Sequence, residues 1–265
     1  MRFKDIFDVE KPIIGTVHFL PLPGSPRAVS LEEVTKRAVE DARAYEEGGV
    51  DGIILENFGD APYQAGCVGP ETIASMTAVA VRVSENVDIP VGVNVLRNDA
   101  KAALAIAYVI NGKFIRVNVH VGVYATDQGI IEGKAYETLI LRKILDADVA
   151  IFADVHVKHA YPLWNLDIKD AARDTVRRGL ADAIIVTGRK TGEPPNIENV
   201  LSVKEAVDEI PVFVGSGVNM KNVSTYLKVA DGVIVGTSLK IKGKTENPVD
   251  VERVKMFVNE ANNYR

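Results

Sequence analysis

The chain's 265 residues carry a formal net charge of −5 and are 47% hydrophobic, which is enough for a core and excludes global disorder. There is no basic run, so an electrostatic footprint for nucleic acid is missing, and the single cysteine, Cys67, excludes an intrachain disulfide. No uncharged apolar run approaches the roughly 20 residues that span a bilayer, and Met1 to Asp8 carry acids where a secretory leader is apolar, so a cytoplasmic protein without a transmembrane segment is expected.

Residues 1–11 read as a short lead-in. A first strand, Ile13–His18, is followed by a Pro- and Gly-rich loop from Phe19 to Val29. Leu31, Val34, Ala38, Ala42 and Tyr45 then recur at helical spacing, and Ser30 with Glu33 forms a capping box. The second strand, Gly52–Glu56, leads into the loop Phe58 to Gly69. The third is Val91–Val95, with Asn98 as a helix N-cap. The fourth is Phe114–Val119, followed by a long glycine-bearing loop, His120 to Gly133. Val149–Val155 and Ala183–Thr187 are the fifth and sixth; the loop Gly188 to Pro195 and the N-cap Asn196 come next. The seventh, Val212–Gly215, is separated from the eighth, Gly232–Gly236, by a helical stretch from Met220 to Lys228 capped by Asn219.

Each strand is short and most are apolar without alternation, the pattern of parallel strands buried on both faces. Eight strand–helix units with no linker between them predict a single α/β domain over 1–265, a (β/α)₈ barrel. A doubly wound open sheet is the main rival, and the lack of a GxGxxG after the first strand weakens its dinucleotide-binding form. The loops after the strands are elaborate and the opposite connections are tight, which places a site at the C-terminal mouth.

Two strand ends at that mouth have small, amide-rich turns: Gly215-Ser216-Gly217 after the seventh and Gly236-Thr237-Ser238 after the eighth. Barrels of this kind commonly hold phosphate there, on free backbone N–H groups. Lys240, Lys242 or the pair Arg189-Lys190 can add positive charge. The same residues are also ordinary turn chemistry.

All four histidines, His18, His120, His156 and His159, fall at or just beyond strand ends, where imidazoles can act as acids, bases or ligands, or simply pack at the rim. Glu56-Asn57 ends the second strand and Asn94 lies in the third. Arg116 and Asn118 alternate on the fourth; Asp154, His156 and Lys158 alternate at the end of the fifth. Polar groups in such apolar strands are costly unless paired. Three chemical readings fit: Glu56, Asp154, His18 or His156 as general acid or base; Lys158 as a Schiff-base amine; or Glu56, Asp154, His156 and His18 around a divalent metal. Asn57, Asn94, Arg116, Asn118 and Thr187 are the expected substrate contacts. An internal salt-bridge layer, with Glu56 or Asp154 on Arg116 or Lys158, is the structural alternative.

Taken together, these segments resemble the BtpA family, named for a cyanobacterial protein needed for photosystem I accumulation. The likeness runs from about Lys11 to the end. It rests on Pro12 to His18 with Leu20 to Pro26, Asp51 to Asp60, Gly92 to Asp99, Thr126 to Gly129, Phe152 to His159 and the Gly215-Ser216-Gly217 turn. The resemblance implies a barrel related to phosphate-binding barrels, in a family where some relatives carry labels such as nucleosidase or phosphoribosyl enzyme. The expected function is an enzyme for a small phosphorylated sugar or nucleoside-type molecule, with no cofactor assigned. A non-catalytic assembly factor and a metal-dependent hydrolase are the alternatives. A homo-oligomer is left open.

Overall fold

The computed structural model describes residues 5–265, so residues 1–4 of the expected lead-in lie outside the described part. Along the chain come β1 (Ile13–His18), β2 (Gly52–Glu56), β3 (Val91–Asn94), β4 (Phe114–Val117), β5 (Val123–Thr126), β6 (Gly129–Glu132), β7 (Ala150–Val155), β8 (Ala160–Pro162), β9 (Ala183–Val186), β10 (Val212–Val214) and β11 (Gly232–Val235). Eight of these form a closed parallel barrel in the order β1-β2-β3-β4-β7-β9-β10-β11, with β11 pairing back onto β1. Helices α1 (Leu31–Gly48), α2 (Pro70–Ser84), α3 (Ala100–Val109), α4 (Ala135–Ile144), α5 (Ile168–Arg177), α6 (Ile197–Val207), α7 (Val223–Leu227) and α8 (Val251–Ala261) alternate with them. The expected (β/α)₈ barrel is the observed fold. No helix among the described residues is long and apolar enough to cross a membrane.

The eight barrel strands lie within a residue or two of their expected bounds. The long loop over 120–133 does not stay a loop. Its middle folds into the hairpin β5–β6, and β8 adds to it, giving a three-stranded antiparallel sheet in the order β6-β5-β8. Tyr124 and Ile131 of this sheet pack with Val119 and Val157, which pins it to the ends of two barrel strands.

Helix starts follow local chemistry. Ser30 Oγ accepts from the Glu33 N–H at 3.2 Å, and Asn196 Oδ1 from Glu198 at 3.0 Å. Two expected caps are displaced. Asp99, not Asn98, caps α3; Asn98 instead uses both amide atoms on the Val119 backbone, at 2.8 and 2.9 Å, tying the end of β3 to that of β4. Asn219 turns the chain by accepting from Lys221, and α7 starts only at Val223.

The two-residue period of a strand organises the barrel interior. Ile14, Ile54, Phe114, Phe152, Ile185, Phe213 and Ile234 form one buried cluster, with Phe114 stacked on Phe152 at 4.7 Å and Phe152 against Phe213 at 5.2 Å. Ile6 and Phe7 join the same cluster, so this part of the lead-in packs as core. Each such side chain contributes roughly 1.5–3 kcal/mol through burial. Two residues further along the same seven strands stand Thr16, Glu56, Arg116, Asp154, Thr187, Gly215 and Gly236. An apolar floor therefore carries a polar layer, and the polar layer opens to the mouth.

Candidate active site

Arg116 is the hub of the polar layer. Its Nε and Nη2 donate to the two oxygens of Asp154, both at 3.1 Å, and its Nη1 donates to Glu56 Oε1 at 3.2 Å. Burial pulls the guanidinium pKa down, and the charges of Asp154 and Glu56 more than offset it, so the net shift is upward. Asn118 donates to Asp154 Oδ2 at 2.6 Å, and Asn94 to Glu56 Oε1 at 2.9 Å. The internal salt-bridge layer posed as an alternative is therefore present. It still leaves a difference between the acids. Both oxygens of Asp154 are taken, whereas Glu56 Oε2 has no hydrogen bond among the described residues and faces His18 Nε2 at 3.7 Å.

Two cavities open from this layer. The first, about 280 Å³, is lined by His18, Glu56, Arg116 and Lys158 together with Gly215 to Asn219 and Gly236 to Ser238. The two glycine turns thus face one shared space. Their hydroxyls are occupied within the protein. Ser216 Oγ donates to the Glu193 carbonyl and accepts from Gly188, Ser238 Oγ donates to the Val218 carbonyl, and Thr237 Oγ1 pairs with Thr245 Oγ1. What remains is backbone: the N–H groups of Gly217, Thr237 and Ser238 have no partner among the described residues. Gly217 has φ +69°, and a Cβ there would lie 2.1 Å from the Pro194 nitrogen, so only glycine makes this corner without strain.

The positive charge expected from nearby lysines arrives otherwise. Lys240 is buried, its Nζ 3.6 Å from Asp41, and it lines neither cavity. Arg189 faces a different cavity, beside His156. Arg253, from the first turn of α8, reaches the first cavity and donates through Nε to the Ser238 carbonyl at 3.0 Å. Nothing in the local sequence marks Arg253. Barrel closure brings α8 to the β11 turn.

The second cavity, about 160 Å³, shares Glu56, Arg116 and Lys158 with the first and adds Asn94, Asn118, Tyr63, Arg97 and the Asp127-Gln128 tip of the β5–β6 hairpin. Tyr63, Arg97 and the hairpin tip are contacts that sequence reasoning missed. Asn118 Oδ1, buried in this layer, has no hydrogen-bond partner among the described residues.

Several expected site residues go elsewhere. The alternation Asp154, His156, Lys158 fails because β7 ends at Val155 and His156 takes φ +47°, which turns its ring toward Tyr124 and out of both cavities. Asn57 bridges Asp60 and the Leu96 backbone. Thr187 Oγ1 accepts from the Lys158 N–H at 2.9 Å and faces the cavity of His156. His120 hydrogen-bonds the Gly179 carbonyl at 2.8 Å, the rim-packing role. With His156 turned away and both carboxylates on Arg116, the metal reading loses its ligand set; no group of three or more His, Cys, Asp or Glu side chains suited to a metal occurs among the described residues.

Burial holds the pKa of His18 well below its ordinary value, aided by the charges of Lys240, Lys158 and Arg116, and burial lowers His120 as well. Both are therefore neutral when folded and protonate near pH 6.5 once unfolded. Their folded pKa lies below the unfolded one, so their contribution to stability is complete above about pH 6.5 and is lost as the pH falls through that value. Urea unfolding from pH 8 to 5 should show the free energy declining below about pH 6.5, by up to about 1.4 kcal/mol per pH unit for each buried histidine. A flat profile down to pH 5 would contradict their burial as neutral groups.

A family model described as the BtpA family matches residues 9–263. The chain belongs to the BtpA family. It is 52% identical over 260 residues to an uncharacterized protein of Pyrococcus furiosus, covering 98% of each chain. It is 49% identical over 259 residues to the photosystem I biogenesis protein BtpA of Synechocystis, covering 97% of this chain and 90% of that one. Among solved structures it is similar to N-(5'-phosphoribosyl)anthranilate isomerase from Pyrococcus furiosus, with a TM-score of 0.55 and 15% identity over 96% of this chain and 99% of that one. At that identity the likeness is one of fold, and it agrees with the closed barrel.

Proposed function

We propose that this BtpA-family barrel is an enzyme acting on a small phosphorylated sugar or nucleoside-type molecule by acid–base chemistry at its mouth. The observation that carries the reading is the shared cavity: the glycine turns after β10 and β11 and the Glu56–His18 pair line the same space. The amides of Gly217, Thr237 and Ser238 would hold the phosphate, with the Arg253 guanidinium beside them. Glu56 Oε2, the carboxylate oxygen without a hydrogen bond among the described residues, would be the general base. His18, neutral and 3.7 Å from it, would relay or donate the proton. Asp154 would fix Arg116 and Asn118 in place. The second cavity would receive the remainder of the molecule, with Asn118 Oδ1 accepting from a hydroxyl or N–H. The name of the Synechocystis relative favours a second reading, a barrel that serves assembly without turnover.

A thermal-shift panel of pentose and hexose phosphates, nucleotides and inorganic phosphate tests the first reading. At least one phosphorylated compound should raise Tm by an amount that grows with the logarithm of its concentration above Kd, amounting to roughly 2.7 kcal/mol at a hundredfold excess. Its unphosphorylated counterpart should do little. A panel without any hit would overturn the proposal.

A further inference from the structure

Lys158 stands at the centre of the mouth, and acid–base chemistry by Glu56 and His18 gives its amine no task. Its backbone is anchored on both sides: the N–H donates to Thr187 Oγ1 at 2.9 Å, and the carbonyl accepts from Arg97 Nη2 at 2.6 Å. It lines both cavities, at the point where they meet over Glu56 and Arg116. The charged groups facing it are Arg116, Arg97, Glu56 and Asp154, with His18 and His159 as titratable neighbours. Among the described residues its amine makes no ion pair with either carboxylate. Asp154 gives both oxygens to Arg116 and Asn118, and Glu56 Oε1 is taken by Arg116 and Asn94. A lysine beside two arginines, with Asp154 saturated by Arg116 and Asn118 and Glu56 sharing one oxygen with Arg116, is a poor ion-pair partner and a good amine.

We propose that Lys158 is a covalent nucleophile that forms a Schiff base with an aldehyde or ketone of the substrate. The placement of that carbonyl rests on the phosphate reading above; the reactivity of the amine does not. The neutral Nζ adds its lone pair to the carbonyl carbon while the C=O π pair moves to oxygen. One N–H proton passes to that oxygen, giving a carbinolamine. The hydroxyl then takes a proton and leaves as water, and the nitrogen lone pair closes the C=N bond, giving a cationic iminium. The iminium draws electrons from the neighbouring carbon, so a proton there can pass to Glu56 Oε2 and leave an enamine. Return of a proton and addition of water reverse both steps and release the amine. Burial first, and then the charge of Arg116, bring the Lys158 ammonium down to about 8. About a tenth of it is then neutral at pH 7, against less than about a thousandth for an exposed lysine.

The test uses glyceraldehyde 3-phosphate as the probe, borohydride to fix any imine, and peptide mass spectrometry to compare every lysine. Lys158 should be tagged at least tenfold faster than any other, with a rate that rises through pH 8. Lys158→Arg and Lys158→Met, both checked for folding by circular dichroism, should lose the fast tag. Tagging of Lys158 no faster than surface lysines, or a fast tag that survives both substitutions, overturns the proposal. Two further arms separate it from the phosphate reading. Fast tagging by unphosphorylated glyceraldehyde at the same rate, with no competition by inorganic phosphate, supports the amine and counts against the phosphate site. Concentration-dependent stabilisation by phosphate with no selective tag counts against the amine alone.

Discussion

Arg116→Met is expected to destabilise the protein by about 3–5 kcal/mol, read as a lower urea midpoint. The side chains of Glu56 and Asp154 are 3% and 0% exposed, so removing the guanidinium leaves two carboxylates in the barrel without their cation. The cost comes from stranding charge and not from losing a favourable pair, because a buried ion pair roughly balances its own desolvation. That distinction can be measured. The triple variant Arg116→Met, Glu56→Gln, Asp154→Asn should recover most of the loss, since no group in it needs a counter-ion. A single variant that costs less than about 1 kcal/mol would mean that the network is not closed to water in solution.

Glu56→Gln is the second large effect. Glutamine keeps an oxygen for Asn94 and Arg116 but cannot take a proton as a carboxylate does. On whichever compound the panel identifies, turnover should fall by roughly 10²–10⁴-fold. Inorganic phosphate should still stabilise the variant, because the turn amides proposed to hold it are not supplied by Glu56. Asp154→Asn should act differently. It removes a charge that holds Arg116 in position, so stability and substrate affinity should fall along with turnover. Unchanged turnover in Glu56→Gln would remove it as the base. A Glu56→Gln chain that replaces the wild type in cells while no compound is turned over would favour the assembly reading.

The barrel was legible because its strands are short, apolar and evenly spaced, and because closure follows from the number of such units. The hub was legible in part: Arg116, Asp154 and Glu56 are costly inside strands, so their pairing could be expected before their partners were known. Failures gather where tertiary contacts decide. His156 continues a perfect alternation in sequence, and one positive φ turns it away from Asp154. The β5–β6 hairpin has four-residue strands and shows its register only through packing on Val119 and Val157. Ser216, Thr237 and Ser238 look like phosphate ligands by type, yet their hydroxyls brace the turns they belong to. Arg253 and Arg97 have no local signature, because long-range contacts bring them to the cavities.

The account depends on an anion sitting between the β10 and β11 turns. Crystals soaked in tungstate, whose anomalous scattering locates the ion in place of phosphate, test this directly. The predicted result is one strong site within about 3 Å of the amides of Gly217 and Thr237, in reach of Arg253 and lost when excess phosphate is added. Tungstate bound only elsewhere, or a cavity between the two turns filled by protein side chains, would contradict it.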